Sequence, residues 1–173
     1  MKYEDLDGYE ANTLFTETED FLREGLRYSQ KKKEGTVWRI PIADKEGNVF
    51  EEIQRSTLAS FKAYLTVKKY ASHPREDFNV AKIVCASSYF IMILELGDMK
   101  PFLSDNGYVG LCPKRSEVGD RIYIPLGAHV PYILRKLDDG GYVLIREAYV
   151  HGIMDGEIFE GKENVPSEIL RLA

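Results

Sequence analysis

Apolar residues recur at a helical interval in the first half of the chain and at an interval of two in the second. From Thr16 onward, Phe21, Leu22 and Leu26 share one side of a helix. Its first turn carries Glu17, Glu19 and Asp20, its end carries Lys31, Lys32 and Lys33, and Gly35 stops it. Acidic residues at the start and basic residues at the end complement the helix dipole. Val37 to Asp44 reads as a short extended segment, and Asp44 to Asn48 has turn chemistry. A second helix is expected from Ser56 or Thr57 to about Ser72, because Leu58, Phe61, Tyr64 and Leu65 recur at spacings of three and four. A third is expected over Asn79 to Glu95, where Val80, Ile83, Val84, Phe90, Ile91 and Leu94 follow helical intervals.

Beyond Gly97 the period shortens. MKPFLSD and GYVGLCP flank Asp105, Asn106 and Gly107, a hairpin signal, and Gly119 with Asp120 opens the strand RIYIPL. VPYILRKL, the turn LDDGGY and one long strand YVLIREAYV, alternating to Val150, follow. Prolines 113, 125 and 131 each remove a ladder donor and so belong at strand ends, edges or bulges. The expectation is an α+β fold in which N-terminal helices pack on a small C-terminal antiparallel β-barrel of about five or six strands. It divides one domain, residues 1–173, into a helical layer (1–97), a barrel (98–157) and a tail (158–173) with a helical turn in SEILRLA.

A chain of 173 residues with 44% hydrophobic and 29% charged residues is long enough to bury a core without staples. The net charge of −5 argues against a nucleic-acid partner, whose phosphates are held by clustered cations. Lys31 to Lys33, the sole basic run, reads as a solvated helix end. Cys85 and Cys112 sit in apolar surroundings without a CxxC spacing, which gives no support to a disulfide framework or a zinc site. The acidic, polar N-terminus lacks a secretory or transit signal, and no apolar run is long enough for a bilayer, so a cytoplasmic location without membrane insertion is expected.

The order and spacing of GYVGLCP, GDRIYIPLG, VPYILR and GYVLIREAYVHGIMDGE carry a resemblance. Over Phe102 to Glu157 the chain closely resembles the C-terminal barrel module of fungal heterokaryon incompatibility proteins, with Trp38 and Arg39 as a weaker upstream element. The resemblance implies a barrel, a fungal origin and an accessory, sensing or regulatory role. In that family the module usually follows an effector domain tied to non-self recognition and cell death. The Trp-Gly and Trp-Ile-Asp signatures of that domain are not found in this chain, so the death-inducing activity is not carried over.

Candidate chemistry is sparse. His151, Asp155 and Glu157 in HGIMDGE combine an imidazole with two carboxylates, a set able to move a proton, although the same residues suit a capped corner after a strand. The glycines form no phosphate-cradling motif. Arg121, Arg135 and Arg146 recur on strands and suit either a carboxylate or phosphate ligand or a solvated face. A barrel of about five strands fills with its own side chains, so a ligand is expected between the barrel and the helices. Phe61, Tyr64, Phe90, Ile91 and Tyr149 are the expected lining, with Arg146 or His151 as anchor. Two functions are open at this point, with no cofactor or metal called for. One is a non-catalytic module that binds a small-molecule ligand or a protein partner. The other is a small secondary-metabolism enzyme, an isomerase or cyclase, using the same cleft.

Overall fold

The computed structural model describes residues 8–25, 27–47, 52–72, 87–161 and 165–173. The described residues hold four α-helices and antiparallel sheets, an α+β arrangement. Helix α1 spans Gly8–Glu24, α2 Gln30–Thr36, α3 Leu58–Ser72 and α4 Ser87–Glu95. Helix α3 starts where Thr57 caps it, its hydroxyl accepting from the Ala59 amide at 3.1 Å. Helix α1 begins earlier than Thr16, and the lysine run and Gly35 belong to the separate helix α2, started by Ser29, whose side chain accepts from the Lys32 amide. Val37 to Asp44 is not extended: Ile40–Ile42 forms a 3-10 turn whose three residues are all buried. The first seven residues, Cys85 and the first part of the expected third helix lie outside the described residues.

After the small hairpin β1 (Lys45–Glu46) and β2 (Gln54–Arg55), six strands follow α4. They are β3 (Met99–Leu103), β4 (Val109–Pro113), β5 (Arg121–Tyr123), β6 (Tyr132–Lys136), β7 (Tyr142–Glu147) and β8 (Tyr149–Val150). They form two three-stranded antiparallel sheets, ordered β3-β4-β8 and β5-β6-β7. Among the described residues no ladder joins the two sheets into a closed barrel. The hairpin at Asp105 to Gly107 connects β3 to β4 as its turn residues demand, with Gly107 at φ 77°. Pro101 is accommodated because β3 is an edge strand.

The expected single strand from Tyr142 to Val150 is broken at Ala148. The Ala148 amide donates to the Pro131 carbonyl at 2.9 Å, and the chain then leaves the second sheet to pair Val150 with Gly110 in the first. Just before the break, Ile133 faces Arg146 while Leu134 faces Leu144, which leaves Ile145 unpaired as a bulge. A bulge sharpens strand twist, and here it re-aims the chain across the gap between sheets. The C-terminal segment is extended rather than helical: Tyr142 pairs with Leu172, and the Tyr142 amide donates to the Arg171 carbonyl at 2.9 Å.

Three apolar clusters stack the layers. Phe15, Trp38, Tyr64, Tyr89, Met92 and Ile93 hold the helices together. Val109, Leu111 and Tyr149 face the helices, meeting Leu22, Tyr28 and Ile40. Cys112 and Val150 face the other way, toward Ile133 and Ile153 between the two sheets. Strand β4 is therefore buried on both faces. Each fully buried Val or Leu on it contributes about 1.5–3 kcal/mol by leaving water.

Candidate functional site

A cleft of about 830 Å³ opens where α2 meets the end of the first sheet. Arg27, Tyr28, Lys32 and Thr36 line it from the helical side, with Arg39 beyond. Tyr108, His151 and Glu157 come from the turn before β4 and from the segment after β8. Its position between helices and strands is where a ligand was expected, but its lining is polar and cationic.

His151 sits at its floor, and both ring nitrogens are engaged. The Thr36 hydroxyl has one proton, which goes to the Lys32 carbonyl at 2.6 Å. Its oxygen must therefore accept from His151 Nε2–H at 3.1 Å. That leaves Nδ1 to accept from the Tyr149 hydroxyl at 2.8 Å. The imidazole is thus the neutral Nε2–H tautomer. Burial holds its pKa below the ordinary value of 6.5, with the Arg39 cation acting in the same direction and Asp44 against it. The main chain at His151 is fixed as well. Tyr28 Oη donates to the His151 carbonyl at 2.8 Å and accepts from the Val109 amide at 3.2 Å.

The two carboxylates near His151 in sequence have other partners. Asp155 forms an ion pair with Arg55, which also reaches Asp44 at 3.2 Å. Asp44 in turn accepts from Ser56 and pairs with Arg39 at 3.3 Å. Glu157 lines the cleft with His151, and one of its oxygens accepts from the Asp155 amide at 2.8 Å. Among the described residues no hydrogen bond joins His151 to Asp155 or Glu157.

The other expected site residues occupy three places. Tyr149 is buried behind His151, in the cluster between helices and sheet, and burial pushes its hydroxyl pKa far up. Tyr64, Phe61 and Phe90 belong to the helical core, where Tyr64 packs edge-on against Phe15 at 5.4 Å and donates to Glu19 at 2.8 Å. Arg146 pairs with Asp98 beside a second hollow of about 300 Å³ that Lys114 and Arg115 also line. Arg135 and Asp120 form a bidentate pair at 2.8 and 2.9 Å that ties β6 to the turn before β5. Asp120 also accepts from the Glu117 amide at 2.9 Å, and its pKa is lowered, chiefly by Arg135. Thus His151 and Tyr149 are brought together, while Arg146 and the helical aromatics are elsewhere.

Sequence reasoning missed Arg27 and Tyr28, and it read Lys32 as part of a solvated helix end. Arg27 and Tyr108 are 81 positions apart, yet the guanidinium carbon lies 3.8 Å from the ring centroid, a stacked cation–π contact. The lysine run was a usable signal, but a solvated helix end accounts for the same pattern. Among the described residues no group of three or more His, Cys, Asp or Glu side chains is placed to hold a metal ion. No described helix is long and apolar enough to cross a membrane.

Comparison with known proteins adds to this picture. The Het-6 beta-barrel domain profile matches residues 78–166. Heterokaryon incompatibility protein 6, OR allele, of Neurospora crassa is 26% identical over 162 residues, covering 75% of this chain. The chain spans only 23% of that relative's length. No solved structure matches. With half the chain within the profile, and with the run from GYVGLCP to HGIMDGE inside it, this chain belongs to the Het-6 beta-barrel domain family.

Proposed function

We propose that this chain is a non-catalytic module that captures a small molecule in the cleft between α2 and the first sheet, in a sensing or regulatory role within heterokaryon incompatibility. The observation that carries this reading is the state of His151, whose two ring nitrogens are taken by Thr36 and Tyr149. A general base needs an acceptor nitrogen within hydrogen-bond reach of the substrate's proton. The acceptor nitrogen of His151, Nδ1, is turned to the buried Tyr149 hydroxyl, which does not line the cleft, and neither Asp155 nor Glu157 is hydrogen-bonded to the imidazole. The imidazole instead joins α2 to β8 and shapes the cleft floor. A volume of about 830 Å³ lies in the range of small-molecule sites.

Native mass spectrometry of protein purified from a fungal host tests the reading. Ser29 is exposed at the cleft rim and caps α2, so Ser29→Trp narrows the opening, and Ser29→Ala, which removes the cap without adding bulk, is its control. The expected result is a bound small molecule on the wild-type chain and on Ser29→Ala that Ser29→Trp loses while keeping its circular dichroism spectrum. A ligand retained equally by the wild-type chain and Ser29→Trp, a ligand lost equally from Ser29→Ala, or turnover of a substrate that vanishes in His151→Gln, would overturn it.

A further inference from the structure

The charge of the cleft is opposite to that of the protein. The chain carries −5 overall, yet the described lining includes Arg27, Lys32 and Arg39 against the single carboxylate of Glu157. These cations are not equivalent. Arg39 already pairs with Asp44 at 3.3 Å and donates to the Gly35 carbonyl at 2.9 Å. Lys33, next to Lys32, donates to the Arg23 carbonyl and does not line the cleft. Arg27 and Lys32, by contrast, make no ion pair among the described residues.

Arg27 is also held in place. Its guanidinium stacks on the Tyr108 ring at 3.8 Å, and Tyr108 precedes Val109, whose amide is tied to Tyr28 at 3.2 Å. Stacking uses the flat face of the guanidinium and leaves its N–H edges free, the edges that grip a phosphate or carboxylate with two parallel bonds. Lys32, one turn before Thr36 on α2, adds a compact charge on the same wall. Glu157 comes from the segment after β8, where it offers an acceptor to hydroxyl or amine groups of a ligand.

We propose that the occupant of this cleft is a small organic oxyanion, a phosphate or carboxylate, held by Arg27 on its Tyr108 platform and by Lys32, with hydroxyl or amine donors toward Glu157. This rests on the small-molecule reading above and adds the ligand's chemical class. Both cations line the half-open cleft, and neither has an ion-pair partner among the described residues, so an arriving anion displaces water rather than a carboxylate. The phosphate and carboxylate sources share this chemistry, and the choice of probe separates them.

The experiment is isothermal titration of the whole chain with pyrophosphate, with citrate and with glucose as a neutral control. Saturable binding of pyrophosphate or citrate is expected, weakening as sodium chloride rises, with glucose silent. Whichever anion binds more tightly identifies the source. Arg27→Gln with Lys32→Gln should weaken that binding by at least about tenfold, because each removes a charge-assisted hydrogen bond. Both residues are exposed, so the fold should persist, and Lys32→Gln alone serves should the double variant unfold. Neither anion binding at millimolar concentration, or equal affinity in the double variant, would overturn the proposal. A neutral ligand lost from Ser29→Trp but kept by the double variant would defeat the oxyanion class while leaving small-molecule capture intact. Absence of any cleft-dependent ligand would defeat both.

Discussion

Tyr28 and His151 are 123 positions apart in the chain, and the Tyr28 hydroxyl donates to the His151 carbonyl at 2.8 Å. The same hydroxyl accepts from the Val109 amide, so one phenol fastens the helical layer to both β4 and the segment leaving β8. Their rings lie 5.8 Å apart. Tyr28→Phe keeps the packing but takes a partner from the part-buried His151 carbonyl and from the buried Val109 amide. A loss of about 1–3 kcal/mol in unfolding free energy is expected, measured by urea titration. An unchanged midpoint would show that water replaces the phenol freely.

Acid should weaken the protein through His151. Its folded pKa lies below the ordinary 6.5, because burial disfavours the imidazolium. The unfolded chain therefore takes up a proton first as pH falls. Above 6.5 both states are neutral here and stability is full; below it, stability falls until the folded state also protonates. Protonation would also force Nδ1 to donate to a Tyr149 hydroxyl now donating to it. Unfolding titrations at pH 7.5 and 5.5 should show this drop, and His151→Gln should flatten it. Asp120, whose pKa is lowered, acts in a more acidic window, since its contribution is lost only below the ordinary carboxylate range.

Gly110 is required for strand pairing rather than for backbone freedom. A Cβ built on it would come within 2.0 Å of the Tyr149 carbonyl oxygen and 2.9 Å of the Phe102 ring. The obstacle on one side is backbone of the paired strand β8, which cannot swing away. Gly110→Ala should cost about 3 kcal/mol or more, as overpacked cores do when nothing yields. Lowered soluble expression and a lower Tm are the readouts. A variant as stable as the parent would mean that β8 pairs differently with β4.

Cys112 should resist alkylation in the folded protein. It is buried between the two sheets at 5% exposure, and burial pushes its thiol pKa up. Thiolate is the reactive form, so both access and ionisation are suppressed. Brief iodoacetamide treatment at pH 8 followed by peptide mass mapping should leave the Cys112 peptide unmodified until urea is added. Rapid labelling under native conditions would place that face of β4 in solvent.

Much of the architecture is legible in short stretches. Leu58 to Ser72 reads as a helix from its apolar spacing and the Thr57 cap, and α3 is found there, although it buries Ala63, Tyr64, Val67 and Ala71 while Leu58 and Leu65 face solvent. The hairpin at Asp105 to Gly107, the Asp120 turn and the Gly140 turn follow from residues whose backbone or side-chain chemistry suits them. The separation of α1 from α2 was missed although Gly25 and Ser29 mark it, because Leu26 extends the helical spacing of Phe21 and Leu22 across the break. The 3-10 turn at Ile40–Ile42 was missed for a related reason: its Ile-rich content suits a strand, and burial of all three residues against the helices and β4 outweighs that local preference.

Chain chemistry by itself determines periods, turns and caps, because each arises among residues a few positions apart. It also carries the run of motifs that marks the family. The folded arrangement determines where those pieces meet. Alternation continues smoothly from Tyr142 to Val150, yet the bond from Ala148 to Pro131 and the bulge at Ile145 turn one apparent strand into two on different sheets. In the same way, Arg27 meets Tyr108, and His151 meets Thr36 and Tyr149, only because β4 and β8 are pressed against the helices. Contacts spanning up to 123 positions depend on burying the two faces of β4 at once, an energy that belongs to the packed layers and to no local segment.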